Sequence, residues 1–209
     1  MAKKRERCDG KTTREAILEA AALEFAAKGY EIASMREICR NAGVNSALAC
    51  RYFASKEGLY RVVAKRLFGD LGAPMSNLTE SVTDDDSWRE AIRTWVNDFL
   101  YMTLPTARAQ RLCAGLFKQE VTNPTKFHVQ FSRDFGKPVY DSLRQLIAMK
   151  VEDGTLVELI TSSIWSQVSV YALADKEWHK SFRPKGVKIE EWREKVGEFI
   201  CENIEKSCR

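Results

Sequence analysis

The chain has 209 residues, of which 44% are hydrophobic, 30% charged and 10% aromatic. That length can bury the core of one large domain or two small ones, and the composition is neither low-complexity nor disordered. Gly (11) and Pro (5) are too scarce for a turn-rich all-β fold, and no apolar run reads as long enough to span a bilayer.

The basic opening MAKKRERCDGKTTR has no apolar stretch behind it and does not read as a secretory signal. The cysteines at 8, 39, 50, 113, 201 and 208 form no CxxC pair, so no metal site and no cofactor are expected, and the thiols are expected to be reduced in a cytoplasm. Charge is uneven. Residues 1–70 carry 14 Lys+Arg against 9 Asp+Glu, a net +5, while residues 71–209 carry 19 against 20. A basic front end suits a polyanionic partner.

The helical pattern begins at Thr13–Lys28, where Ile17, Ala21 and Phe25 repeat at i+4 beside Leu18 and Ala22. Thr13 is expected to cap it and Gly29 to stop it. Ser34-Met-Arg-Glu37 reads as a capping box opening a short helix over about 35–42, closed by Gly43. A second short helix follows over about 45–53, and Ser55 caps a third over about 56–71 with Leu59, Val63 and Leu67 as its stripe. The acidic stretch Thr83–Asp86 reads as a loop. Longer helices are predicted over 87–104, 106–121, 124–151 with a kink at Pro138, 155–174 and 189–207, with a polar loop over 175–188. No segment shows strand alternation, so the fold expected is all-α.

Two short helices joined by a Gly turn fit a DNA-reading helix–turn–helix. Ile38 can pack inward, Cys39 and Ala42 are small where the helices cross, Gly43 can take positive φ, and Val44 plugs the turn. Ala49 and Tyr52 can face the core. Ser46, Ala47, Cys50 and Arg51 are left toward solvent or a major groove, with Leu48 at the margin. Lys56 at the next helix start and Arg36 on the leading helix can meet phosphates.

The stretch from Thr12 to Phe68 resembles the N-terminal domain of the TetR/AcrR family of bacterial transcriptional repressors. The resemblance rests on Ala21-x3-Phe25-x3-Gly29-Tyr30, the S-M-R-E-I helix start at Ser34, the A-G-V turn at Ala42, Tyr52-Phe53, and S-K-E-x-L from Ser55. It implies a three-helix DNA head on a larger helical domain that dimerises and binds a small molecule that weakens DNA binding. It also implies DNA contacts from Ser34, Arg36, Ser46, Ala47, Leu48, Tyr52 and Lys56. The sequence departs from the family at Leu48-Ala49-Cys50, where Cys50 stands in place of a phosphate-binding tyrosine and Arg51 is the residue that can compensate.

On this reading residues 1–55 form the head, with a basic arm over 1–12, residues 56–72 form a connecting helix, and residues 73–209 form an effector-binding and dimerisation domain. The last two long helices are expected to build the homodimer interface through Leu156, Ile160, Ile164, Val168, Trp192, Val196, Phe199 and Ile200. An apolar effector cavity is expected to be walled by Trp95, Phe99, Phe117, Phe127, Phe131, Trp165 and Tyr171, with Arg93, Asn97, Gln119, His128 and Gln167 as possible polar groups.

Three other readings stay open. An enzyme is disfavoured by the absence of HExxH, GxSxG, P-loop and GxGxxG motifs, with only His128 and His179 available and Cys113/His128 as a conceivable dyad. A thiol redox sensor would act through Cys50. A helical adaptor would never bind DNA.

Overall fold

The computed structural model describes residues 10–69, 75, 77–104, 107–173 and 180–208, and the basic arm over 1–9, Cys8 and His179 lie outside them. Among the described residues the fold is all-α, with no strand. The helices are α1 (Gly10–Ile32), α2 (Met35–Asn41), α3 (Ser46–Phe53), α4 (Lys56–Phe68), α5 (Asp85–Thr103), α6 (Arg108–Thr122), α7 (His128–Phe131), α8 (Lys137–Ala148), α9 (Gly154–Leu173) and α10 (Ile189–Ser207). A 3-10 turn, Leu78–Ser81, precedes α5, and a π-helical segment, Ser132–Gly136, joins α7 to α8.

Several boundaries differ from the sequence reading, each for a local reason. Helix α1 begins before Thr13, so Thr13 is an interior residue and not a cap. Gly29 does break the helix, at φ 73 and ψ 174. Ser34 precedes α2, but its hydroxyl makes no capping bond; its N–H donates to Glu24 Oε1 (3.4 Å), and Glu37 is engaged by Arg40. The acidic stretch is a helix start. Asp84 and Ser87 form the capping box of α5, with Asp84 accepting from the Ser87 N–H at 2.8 Å. The segment read as one helix over 124–151 opens with a turn, and its helical backbone then runs from His128 to Ala148 through the π segment Ser132–Gly136, which ends just before Pro138. Within the loop read over 175–188, residues 180–182 are helical.

Two apolar cores carry the fold. The first joins α5, α8, α9 and α10 around Trp95, Leu100, Leu143 and Ile164. Trp88 Nε1 donates to the Leu146 carbonyl (2.7 Å) and Trp95 Nε1 to the Val139 carbonyl (3.0 Å), so both indoles are buried with their N–H groups satisfied. The second core unites α1–α4 with α6 and α7 through Ile17, Phe25, Leu59, Leu116 and Phe131. The head is therefore fused to the body along α6, and Gly115 lets α6 approach α1: a Cβ there would meet the Ala26 carbonyl oxygen at 2.9 Å.

Helix α9 is long and apolar enough, by length and composition, to cross a membrane, so the expectation that no apolar run reaches bilayer length does not hold for it. Its inner stripe, Val157, Ile160, Ile164 and Val168, packs into the first core.

The head–body junction contains a buried polar network. Glu120 on α6 has no exposed surface, and among the described residues no cation pairs with it. Its donors are the Tyr60 hydroxyl from α4 and the Thr125 hydroxyl (2.9 Å). Burial, with the Glu120 carboxyl beside it, pushes the Tyr60 phenol above its usual range. The rings of Tyr30 and Tyr60 close on Phe127 at 4.8 and 5.0 Å between centroids.

Two outcomes follow from these contacts. Gly115→Leu forces α1 from α6 and is expected to lower stability by about 1–3 kcal/mol in urea melts. Tyr60→Phe keeps the ring and removes a donor to a buried carboxylate, with an expected loss of about 1–3 kcal/mol by the same measurement.

Candidate nucleic-acid interface and effector cavity

Helix α3 is held at both ends by its own sequence. Helix α2 closes with the Gly43 N–H donating to the Arg40 carbonyl (3.2 Å) and the Val44 N–H to the Cys39 carbonyl (2.9 Å), a Schellman turn that requires the φ of 68 found at Gly43. Asn45 then caps α3, its side chain accepting from the Leu48 N–H at 2.8 Å. The sequence reading places Asn45 inside the helix and misses this cap, although Asn is among the preferred N-cap residues. At the far end Ala54 turns the chain at φ 60, and Ser55 caps α4 by accepting from the Gly58 N–H at 3.0 Å.

The helix is two-faced. Ala49 and Phe53 are buried on the head core, and Ile38 and Cys39 of α2 are buried beneath them. Ser46, Ala47, Cys50 and Arg51 are exposed, Leu48 and Tyr52 are half-buried, and Arg36 is exposed on α2. Arg51 lies over the Tyr52 ring, 5.8 Å from its centroid. Ser34 and Lys56 are more anchored than the sequence suggests. Ser34 is half-buried and tied to Glu24. Lys56 Nζ donates to the Glu31 carbonyl (3.1 Å) and sits 4.5 Å from the Tyr30 ring centroid. An ammonium has three protons to donate, so this bond leaves capacity for a phosphate oxygen.

A narrow apolar cavity lies in the body where α4, α5, α6, α8 and α9 meet the π segment. Of the expected wall residues it is lined by Phe99, Phe117, Phe131 and Trp165, together with Phe68, Met102, Phe135 and Val139, which the sequence reading does not select. Trp95, Phe127 and Tyr171 do not line it. Trp95 fills the first core, Phe127 the head–body junction, and Tyr171 packs against the first core. None of the suggested polar groups lines it either. Arg93 is exposed, Asn97 meets Gly197, Gln119 reaches the Ala27 carbonyl (3.3 Å), His128 the Glu120 carbonyl (2.8 Å), and Gln167 the Ser163 hydroxyl (3.3 Å). Cys113, which also lines the cavity, bonds to the Leu67 carbonyl (3.2 Å), and burial pushes its thiol up to about 11. Cys113 and His128 thus engage separate partners.

The expected dimer residues divide. Ile160, Ile164, Val168, Val196 and Ile200 are buried in the protomer's own core. Phe199 is 62% and Leu156 43% exposed, Trp192 is half-buried, and Leu159 and Val170, outside the expected interface set, add exposed apolar surface.

Residues 17–63 match the family model described as bacterial regulatory proteins, tetR family. No curated protein matches the chain significantly. Among solved structures, a TetR-like transcriptional regulator from Rhodococcus sp. RHA1 is similar at 18% identity and a TM-score of 0.66, over 95% of this chain and 99% of that one. The TetR family regulator PfmR from Thermus thermophilus is similar at 22% identity and 0.63, over 89% and 97%. The regulator FadR from Bacillus subtilis, solved in complex with stearoyl-CoA, is similar at 16% identity and 0.63, over 90% and 97%. The head of this chain thus matches the tetR-family model over residues 17–63, and the chain as a whole shares the all-α fold of these solved regulators.

Proposed function

We propose that this protein is a transcriptional repressor that binds a palindromic operator as a homodimer and is released by a small, largely apolar effector. The observation that carries the reading is the outward face of α3. Its N-terminal side chains Ser46 and Ala47 stand free at the position from which such helices read base edges, while Ala49 and Phe53 fix the helix from behind. Arg36, Arg51 and Lys56 flank that face with positive charge suited to phosphates. Cys50 lies on the same face and supplies no strong phosphate bond.

Dimerisation is supported by the outer faces of α9 and α10. Leu159, Val170 and Phe199 are exposed apolar residues, and α9 carries no charged residue after Glu158. A helix of that kind needs cover on a second side. A second copy also supplies the second α3 that a palindrome requires.

The effector is assigned to the body cavity because its walls are almost wholly apolar. The cavity holds about 30 Å³, room for little more than water, so an effector must displace lining side chains to enter. FadR, which shares this fold, was solved with stearoyl-CoA, a ligand that carries a long apolar acyl chain. Release then requires that effector and operator favour different head placements.

The test is binding to duplex DNA across a salt series. The wild type is expected to lose affinity steeply as salt rises, because phosphate contacts release counterions. Arg36→Ala and Lys56→Ala should each weaken all sequences alike and reduce the salt slope by about one, whereas substitution of Ser46 or Ala47 should shift sequence preference by about 1–3 kcal/mol per base. Salt-insensitive or absent duplex binding would favour the adaptor reading.

A further inference from the structure

A second cavity lies outside the body cavity, between the connecting helix α4 and the α7–π segment. It measures about 360 Å³, within the range that holds a small organic ligand, whereas the body cavity does not reach that range in this conformation. Its apolar surface comes from Tyr60, Ala64, Phe127, Phe131 and Phe135. Its polar lining is Arg61, Lys65, Gln130 and Asp134.

The charges in that lining are not balanced. Arg61 is engaged by Glu57 (3.0 Å) and by Gln130. Asp134 accepts from Arg133 at 3.1 Å. Among the described residues no carboxylate pairs with Lys65, an exposed member of that lining, and the Arg61 guanidinium lies 4.9 Å from the Phe127 ring centroid.

We infer that this junction cleft is a binding site for a small amphipathic anion, an aryl or alkyl carboxylate whose charged end meets Lys65 and whose apolar body covers Tyr60, Phe127 and Phe135. Charge complementarity selects the anion, and the ring-lined floor selects the apolar body. The site is placed to act on the head. Tyr60 is both floor of the cleft and donor to buried Glu120, and the Glu57–Lys126 pair (2.6 Å) crosses the same junction. Phe131 and Phe135 line both cavities, so an occupant here presses on the wall of the body cavity. The binding claim stands on the cleft alone; its consequence for DNA rests on the function proposed above.

Calorimetric titration of the full chain, without DNA, with 1-naphthoate and with the cation 1-naphthylmethylamine tests the site. Saturable binding of the carboxylate and none of the amine is expected. Lys65→Gln should weaken carboxylate binding about tenfold, the loss of one charge-assisted hydrogen bond. Arg66→Gln, which alters a neighbouring cation paired with Glu15 and outside the cleft, should leave it unchanged. Equal binding of acid and amine, or equal affinity in Lys65→Gln, would overturn the site. Abolition by Ala114→Leu, which fills the body cavity only, would move the ligand there and also overturn it. Should that variant fold poorly by circular dichroism, Trp165 decides: it lines the body cavity and not the cleft, so quenching of its fluorescence by naphthoate, identified by loss in Trp165→Phe, counts against the cleft. A separate titration of duplex DNA with bound naphthoate reads the consequence. Duplex affinity unchanged at saturation would remove the regulatory role and leave the site, and failure of the ligand-free protein to bind duplex would strike only the repressor reading.

Discussion

Glu120 is the constraint around which the head and the body are joined. A carboxylate with no exposed surface and no cationic neighbour among the described residues is tolerated only where hydrogen-bond donors converge on it. One donor, Tyr60, comes from the connecting helix α4, and the other, Thr125, from the turn after α6. The bond therefore exists only when α4 is seated on α6. Around it the aromatic cluster of Phe25, Tyr30, Tyr60 and Phe127 excludes water, and Gly115 sets how closely α1 approaches α6. The orientation of α3 is inherited from this junction, because α3 is tied to α2 and α4 by turns with little freedom.

Those turns show how local chemistry fixes an exposed helix. A Schellman turn at Gly43, an Asn45 cap, a positive-φ Ala54 and a Ser55 cap follow one another within thirteen residues. They satisfy the backbone groups that two short helices would otherwise leave open. Side chains on the outward face of α3 thus need not take part in stability, and Ser46, Ala47, Cys50 and Arg51 are available for contacts with a partner. Phe131 and Phe135 line both cavities at the junction that seats α4, so in the switch proposed above these two rings and one helix are the connection between body and head.

Much of this is legible in the sequence, and the failures have common causes. Helix existence follows from i+4 spacing, as at Ile17, Ala21 and Phe25, and the inward side of the helix–turn–helix follows from size and turn requirements at Cys39, Gly43 and Ala49. Caps are less secure because a hydroxyl near a helix start has competitors. Ser34 loses its capping role where Glu24 takes its N–H and Arg40 takes Glu37. Cavity walls are harder still. Trp95 and Phe99 lie one turn apart on α5, yet only Phe99 reaches the void, because a small rotation of the helix decides which ring faces space. For the same reason Ile160, Ile164 and Val168 have the spacing of an interface and turn out to be core: periodicity reports that a face is buried, not by what. Glu120 gives no signal, since a single carboxylate on an otherwise amphipathic helix reads as a surface charge.

Selection of bound duplexes from a random-sequence library tests the central claim most directly, because it reads both the use of α3 and its presentation in a pair. An enriched inverted repeat is expected, with half-site centres about one helical turn, or a multiple of it, apart. Its bases should change when Ser46 or Ala47 is substituted. Recovery of no motif, or of a single site without two-fold symmetry, would contradict the claim.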